Sequence, residues 1–118
     1  MDVGELKINR ESFDQMRLEI LRLGGGIDAH TFELLENAIE EIFDEGCYAL
    51  VLDMSEVEYI SSAGVGTLVN STHRAKNSGG NLILIGVGDR VLEVFRVLGL
   101  MGSLHIATEM KGALAYFG

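Results

Sequence analysis

Proline is absent from this chain of 118 residues, and no stretch has the biased composition of a linker. With no repeat and no low-complexity segment either, the sequence reads as one domain over residues 1–118. Cysteine occurs once, so no intramolecular disulfide can form. At the head of an apolar segment, Cys47 reads as a small buried thiol rather than a nucleophile. Long hydrophobic runs are missing too. The longest uncharged stretch, Tyr59 to His73, is broken by serines, threonines, asparagine and glycines and is too short to span a bilayer. Met1 is followed by acidic and mixed residues in place of a basic segment and an apolar core, which predicts no signal peptide and a soluble, cytoplasmic protein. Basic residues are scarce: 9 Lys and Arg stand against 18 Asp and Glu, a formal net charge of −9. That balance repels nucleic-acid phosphates and anionic headgroups, so neither nucleic acid nor membrane is an expected partner.

Enzymatic machinery is equally thin. His30, His73 and His105 fall on separate predicted elements with no second ligand at metal spacing, so no metal site is expected. Gly64-Val65-Gly66 and Gly86-Val87-Gly88 each lack the third glycine of a dinucleotide-binding loop, and there is no Gly-Lys-Ser/Thr of a P-loop. A serine hydrolase would need Gly-x-Ser-x-Gly around its nucleophile, and Ser62 has no such frame. The reading is of a protein that is not an enzyme and has no cofactor; a deep polar pocket or turnover of a nucleotide would argue otherwise.

What the chain does have is 47% hydrophobic residues, enough for a core without staples. Val3 to Ile8 and Met16 to Leu23 alternate as two antiparallel strands with a polar turn around Glu11 and Ser12. Gly24-Gly25-Gly26 breaks the pattern, Asp28 is placed to cap, and Phe32, Leu35, Ile39 and Ile42 mark the buried stripe of a helix ending near Gly46. Glu33, Glu36, Glu40, Glu41, Asp44 and Glu45 on that helix have almost no basic partner at i+4, giving a solvated acidic face or a steering surface for a basic partner. Cys47 to Asp53 and Asn81 to Gly86 read as buried strands. Between them a helix runs from Ser61 and Ser62 to about Ser78, stopped by Gly79-Gly80. Asp89 is placed to cap a third helix with Val91, Phe95 and Leu98 facing inward; Leu104 to Ile106 is a short edge strand and Thr108 to Phe117 a closing helix. Strands alternating with helices imply parallel strands in a mixed sheet.

The most informative run is Tyr59-Ile60-Ser61-Ser62-Ala63-Gly64-Val65-Gly66, where two hydroxyls stand at a strand-to-helix junction. One serine can cap the helix; equally, a phosphate on either would sit on free backbone N–H groups at the positive end of the macrodipole. The outward positions of the next two turns, read as Gly66, Thr67, Asn70 and Ser71, carry no charge, in a chain that is 23% charged. Interface cores are depleted in charge, so a docking face centred on Ser62 is one reading and an ordinary polar helix face the other. On the third helix Leu92, Val94 and Val97 fall beside the inward stripe, leaving apolar area for a partner or a broad buried face. Asp28 and Asp53 are candidates to lie near Ser62, or are simple cap and turn residues.

Leu52-Asp53-Met54-Ser55, the run from Ile60 to Gly66, Gly25-Gly26-Ile27-Asp28 and Leu98-Gly99-Leu100 together resemble the STAS domain, the fold of bacterial anti-sigma factor antagonists, over nearly the whole chain. The resemblance implies an α/β fold, a STAS-type mixed β-sheet of four to five strands packed by about four helices. It implies a transcription regulator that binds an anti-sigma factor with serine kinase activity and is reset by a serine phosphatase. In that family the segment commonly reads Asp-Ser-Ser-Gly-Leu-Gly and its first serine is phosphorylated, a position that falls here on Ser62. The partner-binding residues carried over with it are Asp28, Ser61, Ser62, Ala63, Gly64, Gly66, Thr67 and Asn70. Two departures are visible: Ser61 stands where an aspartate is usual, and Gly26 where the Gly-Glu-Leu-Asp loop has its glutamate. The alternative is a constitutive STAS scaffold or regulatory subunit of a signalling complex or transporter.

Overall fold

The structure, a computed structural model, describes residues 5–117. Five strands lie in the order β1-β2-β3-β4-β5. β1 (Leu6–Phe13) and β2 (Leu18–Ile27) are antiparallel; β3 (Ala49–Ile60), β4 (Asn81–Ile85) and β5 (His105–Ala107) follow parallel to β2. The parallel strands are linked by α1 (Phe32–Asp44), α2 (Ser62–Asn77) and α3 (Asp89–Val97). Because strand order follows chain order and such crossovers share one hand, all three helices must cover the same face of the sheet. There Leu35, Ile39 and Ile42 of α1, Val65 and Leu68 of α2, and Val91 and Phe95 of α3 close over Leu21, Leu50, Leu52, Leu82 and Leu84. A fourth helix, α4 (Met110–Leu114), covers part of the opposite face, with Ala113 packed on Leu18, Ile20, Val51, Ile83 and Ile85. Further along that face polar side chains take over, and Arg22 lies between Asp53 at 3.0 Å and Glu11 at 3.4 Å.

The expected start of the first strand at Val3 lies outside the described residues. Its expected turn is a correction: Glu11 and Ser12 are strand, paired with Ile20 and Glu19. The chain reverses instead through Asp14–Met16 and Arg17, whose φ of 51° is left-handed. An edge strand with one face open to water has little need of apolar residues, so polar sequence there does not mean turn. Gly24-Gly25-Gly26 likewise does not end β2. Gly25, at φ 101°, instead lets the backbone of Glu5 approach so closely that a Cβ would lie 2.4 Å from its carbonyl oxygen.

β3 is the largest departure, running to Ile60 where Asp53 was the expected end. Its pairing with β2 steps from Arg22↔Asp53 to Gly24↔Glu56 and from Gly25↔Val57 to Gly26↔Tyr59, so β3 carries one extra residue at each of two bulges. Each bulge shifts the alternation by one. The helix-facing core residues are Leu50, Leu52 and Met54, then Val57, then Ile60, and that broken phase hides the strand's second half.

Smaller corrections concern helix ends. α1 is capped at Thr31, and Asp28 sits one turn earlier. α3 is capped at Gly88, with Asp89 already its first residue. Leu98, expected inward, is exposed at the end of that short helix, and Val97 beside it is 76% exposed, whereas Leu92 and Val94 pack partly against the core. α4 has five residues, and β5 begins at His105. Cys47 precedes β3 and is half-buried, its Sγ 3.4 Å from the Ala49 carbonyl oxygen. The acidic face of α1 also has partners from other elements: Arg74 of α2 pairs with Glu40, and Arg10 of β1 with Glu45 at 2.6 Å.

Candidate functional site

The carboxyl ends of β2 and β3 lie side by side, with Ile27 opposite Ile60. Each strand leaves the sheet directly into a turn that opens a helix. The Ser61 amide donates to the Ile27 carbonyl at 2.7 Å, which fastens the start of α2 to the residue preceding Asp28. Ser61 is the N-cap of α2, in extended conformation, and its Oγ accepts from the Gly64 amide at 3.4 Å. Ser62 is the first helical residue, and it is exposed. No acidic residue occurs in this first turn. The free N–H groups and positive dipole end therefore face an opening with no competing anion on the helix itself.

Gly64 shows why the helix begins where it does. A Cβ there would come within 2.6 Å of Ile27 and 2.7 Å of Ile60 side chains, so the bare backbone is what lets α2 seat against the two strand ends. Gly66, two residues on, has nothing within 4 Å of the corresponding point and leaves an open notch beside Ser62. Ala63 is half-buried, and Asn70 is exposed one further turn along the same side. Thr67 and Ser71, expected outward, are buried at 3% and 8% exposure. They line a cleft of about 240 Å³ walled by Glu36, Asn37 and Glu40 of α1 and by Asn70 and Arg74 of α2. The outward stripe of α2 is thus Ser62, Gly66 and Asn70, narrower than its lack of charge suggested.

Asp28 is built into a turn rather than a helix cap. Its Oδ1 accepts from the amides of His30 at 2.8 Å and Thr31 at 3.0 Å. Thr31 is itself buried, accepting from the Asp28 amide at 2.9 Å and donating to the Gly26 carbonyl at 2.7 Å. The second oxygen, Oδ2, accepts from the Tyr59 hydroxyl at 2.7 Å. That bond above all, then the His30 amide and more weakly Thr31, holds the Asp28 carboxyl below the usual carboxylate range. Asp53, by contrast, is remote: it sits seven residues before the end of β3, roughly 20 Å along the strand from Ile60. Its carboxylate is engaged by the Ser55 amide and hydroxyl and by Arg22. Burial pushes its carboxyl up, but those bonds together outweigh it and hold it below the usual range.

Sequence reasoning named Asp28, Ser61 and Ser62 for one site and Gly26 as a departure beside it, but missed that Tyr59 packs over Gly26 and bonds Asp28. A Cβ on Gly26 would lie 2.4 Å from the Tyr59 ring, so the tyrosine occupies the room that residue 26 leaves empty. Residue spacing carries no trace of that pairing, because it depends on the second bulge of β3, which puts Tyr59 opposite Gly26.

The arrangement defines a class: an α/β sheet module that presents an uncharged helix start and a fixed carboxylate at the ends of two parallel strands. The sequence profile of the STAS domain matches residues 10–113, and the chain belongs to that family. Anti-sigma-B factor antagonists of Staphylococcus aureus and Staphylococcus epidermidis are 25% identical to it over 108 residues, 90% of this chain and 100% of theirs. Among solved structures, an anti-sigma factor antagonist from Mycobacterium paratuberculosis shares the fold with a TM-score of 0.84 at 23% identity, covering 97% of this chain and 95% of that one. The anti-sigma factor antagonist SpoIIAA in its unphosphorylated form matches with a TM-score of 0.70 at 16% identity, over 92% and 94% of the two chains. The mixed sheet of five strands with four helices agrees with the expected fold.

Proposed function

We propose that this protein is an anti-sigma factor antagonist, a cytoplasmic binding module switched by phosphorylation at Ser62. The observation that carries the reading is the position of Ser62: exposed, first in its helix, on an uncharged stripe with Gly66 and Asn70, and next to the turn that holds Asp28. Unmodified, this rim docks on an anti-sigma factor and frees the sigma factor it holds, so that transcription proceeds. The same partner, acting as a serine kinase, then transfers the γ-phosphoryl group of ATP. The bond from Ser62 Oγ to phosphorus forms as the bond from phosphorus to the bridging oxygen breaks; ADP leaves, and the hydroxyl proton passes to a base of the kinase. A separate serine phosphatase restores the hydroxyl. Phosphate adds about −1.5 to −2 charge at the middle of the contact. Burying it there without a cation costs several kcal/mol, and ~4 kcal/mol already weakens binding about a thousandfold.

The Staphylococcus antagonists are 25% identical over 90% of this chain, which supports the role. Ser61 in place of an aspartate keeps a second reading in play, a constitutive scaffold or regulatory subunit. The structure gives Ser61 work that needs no charge, since its hydroxyl caps α2. The experiment is a calorimetric titration of a candidate anti-sigma factor from the same organism against wild type, Ser62→Ala and Ser62→Asp. Ser62→Ala should bind as wild type does and Ser62→Asp far more weakly; equal affinities for both variants would refute the switch. Incubation with ATP and the same partner should add the mass of one phosphate at Ser62, and no mass at all would favour the scaffold.

A further inference from the structure

We propose that Tyr59 is a positioning residue of the Ser62 site. Its ring fills the space left by Gly26, and its hydroxyl fixes the Asp28 carboxylate at the mouth of α2 as a docking point for a cationic side chain of the partner. The inference rests on the phosphorylation reading above, but its geometric half stands alone.

Gly26 and Tyr59 face each other across β2 and β3, and the ring tip lies where any side chain at residue 26 would have to go: Cε1 and Cζ are 2.4 Å and the hydroxyl oxygen 2.6 Å from an ideal Cβ. From there the hydroxyl donates to Asp28 Oδ2 at 2.7 Å, while the other carboxylate oxygen is held by two backbone amides. A carboxylate gripped at both oxygens cannot rotate. Held below its usual range, it is ionised at neutral pH and a weak base, so it offers charge and direction rather than proton abstraction. A carboxylate has about four lone-pair sites. Oδ2 keeps acceptor capacity beyond the tyrosine, and a guanidinium or ammonium group is the natural complement. The link between Ile27 and Ser61 then makes the distance from this anion to the acceptor helix a property of the sheet, not of a free loop.

Two variants break the device from opposite sides. Tyr59→Phe removes only the hydroxyl; Gly26→Ala pushes the ring tip away and leaves the hydroxyl intact. The Asp28 side-chain carboxyl carbon, followed by NMR from pH 2 to 7, should titrate at higher pH in each variant than in wild type. The double variant should titrate where the single ones do, because both act on one hydrogen bond. An unchanged midpoint in Tyr59→Phe, or a further rise in the double variant, overturns the positioning role. With labelled ATP and the cognate anti-sigma factor, Tyr59→Phe should incorporate phosphate at Ser62 about tenfold more slowly, as expected when one charge-assisted hydrogen bond is lost. Its thermal midpoint should fall slightly at pH 7, as linkage requires when the Asp28 carboxyl titrates higher, and the loss should vanish toward pH 2, where that carboxyl is protonated in both proteins. Phosphorylation of Tyr59→Phe at the wild-type rate would overturn the functional half. Should wild type take up no phosphate, the phosphorylation reading fails while the carboxyl titration still decides whether Tyr59 sets Asp28.

Discussion

Within the first turns of α2, the side turned to the sheet and the side turned to solvent are made of the same small residues put to opposite ends. Gly64 faces inward, where even a methyl group would strike Ile27 and Ile60, and the neighbouring Val65 and Leu68 are fully buried. Gly66 faces outward over empty space, in line with Ser62 and Asn70. One glycine is demanded by packing. The other lowers helix propensity and meets nothing in the fold, and the proposed docking face lies on its side of the helix. The contrast separates residues that hold the site in place from residues that form its surface.

The sharpest way to break this comparison is Gly64→Ala, which should destabilise the protein by about 1–3 kcal/mol through overpacking. A denaturant titration measures it, and a neutral result would mean that α2 is not seated by close approach to the strand ends. Ser61→Ala, on the boundary between the two sides, should lose about 1 kcal/mol with its N-cap hydrogen bond, read from the same titration. Gly66→Ala should have the opposite sign, stabilising by roughly 0.5–1 kcal/mol as an open helical position gains a better helix former. If Gly66→Ala is both more stable and a weaker binder of the anti-sigma factor, the outward side is sharpened as a docking surface.

The ordering of strands and helices was legible because apolar segments and capping residues fall at ordinary spacings, and the four-helix, five-strand plan follows from them. Ser62 was legible for the same reason, as a hydroxyl at a strand-to-helix junction. What escaped was whatever depends on register between elements. Val57 is a core residue out of phase with Leu50, Leu52, Met54 and Ile60, so the second half of β3 looked like loop and Asp53 like its end. Thr67 and Ser71 read as outward because they are polar, but α1 walls the cleft that they line, and Thr67 turns its hydroxyl to the Ala63 carbonyl at 3.3 Å. Periodicity reports which side of a helix is apolar, not which of its polar positions a neighbouring helix will cover. Tyr59 and Gly26 meet only through the bulged pairing, and no local pattern announces a ring lying over a glycine.

Those two extra residues of β3 carry a consequence for how genes of this kind can vary in length. The second shift restores the inward and outward order that the first one reverses, so the pair behaves as a two-position frame. Loss of either alone would turn the last stretch of the strand inside out, sending Ile60 toward water and dragging the serines off the neighbouring strand. Insertions and deletions between Asp53 and Ile60 should therefore be accepted in twos or not at all, a constraint on descent that no single substitution would expose.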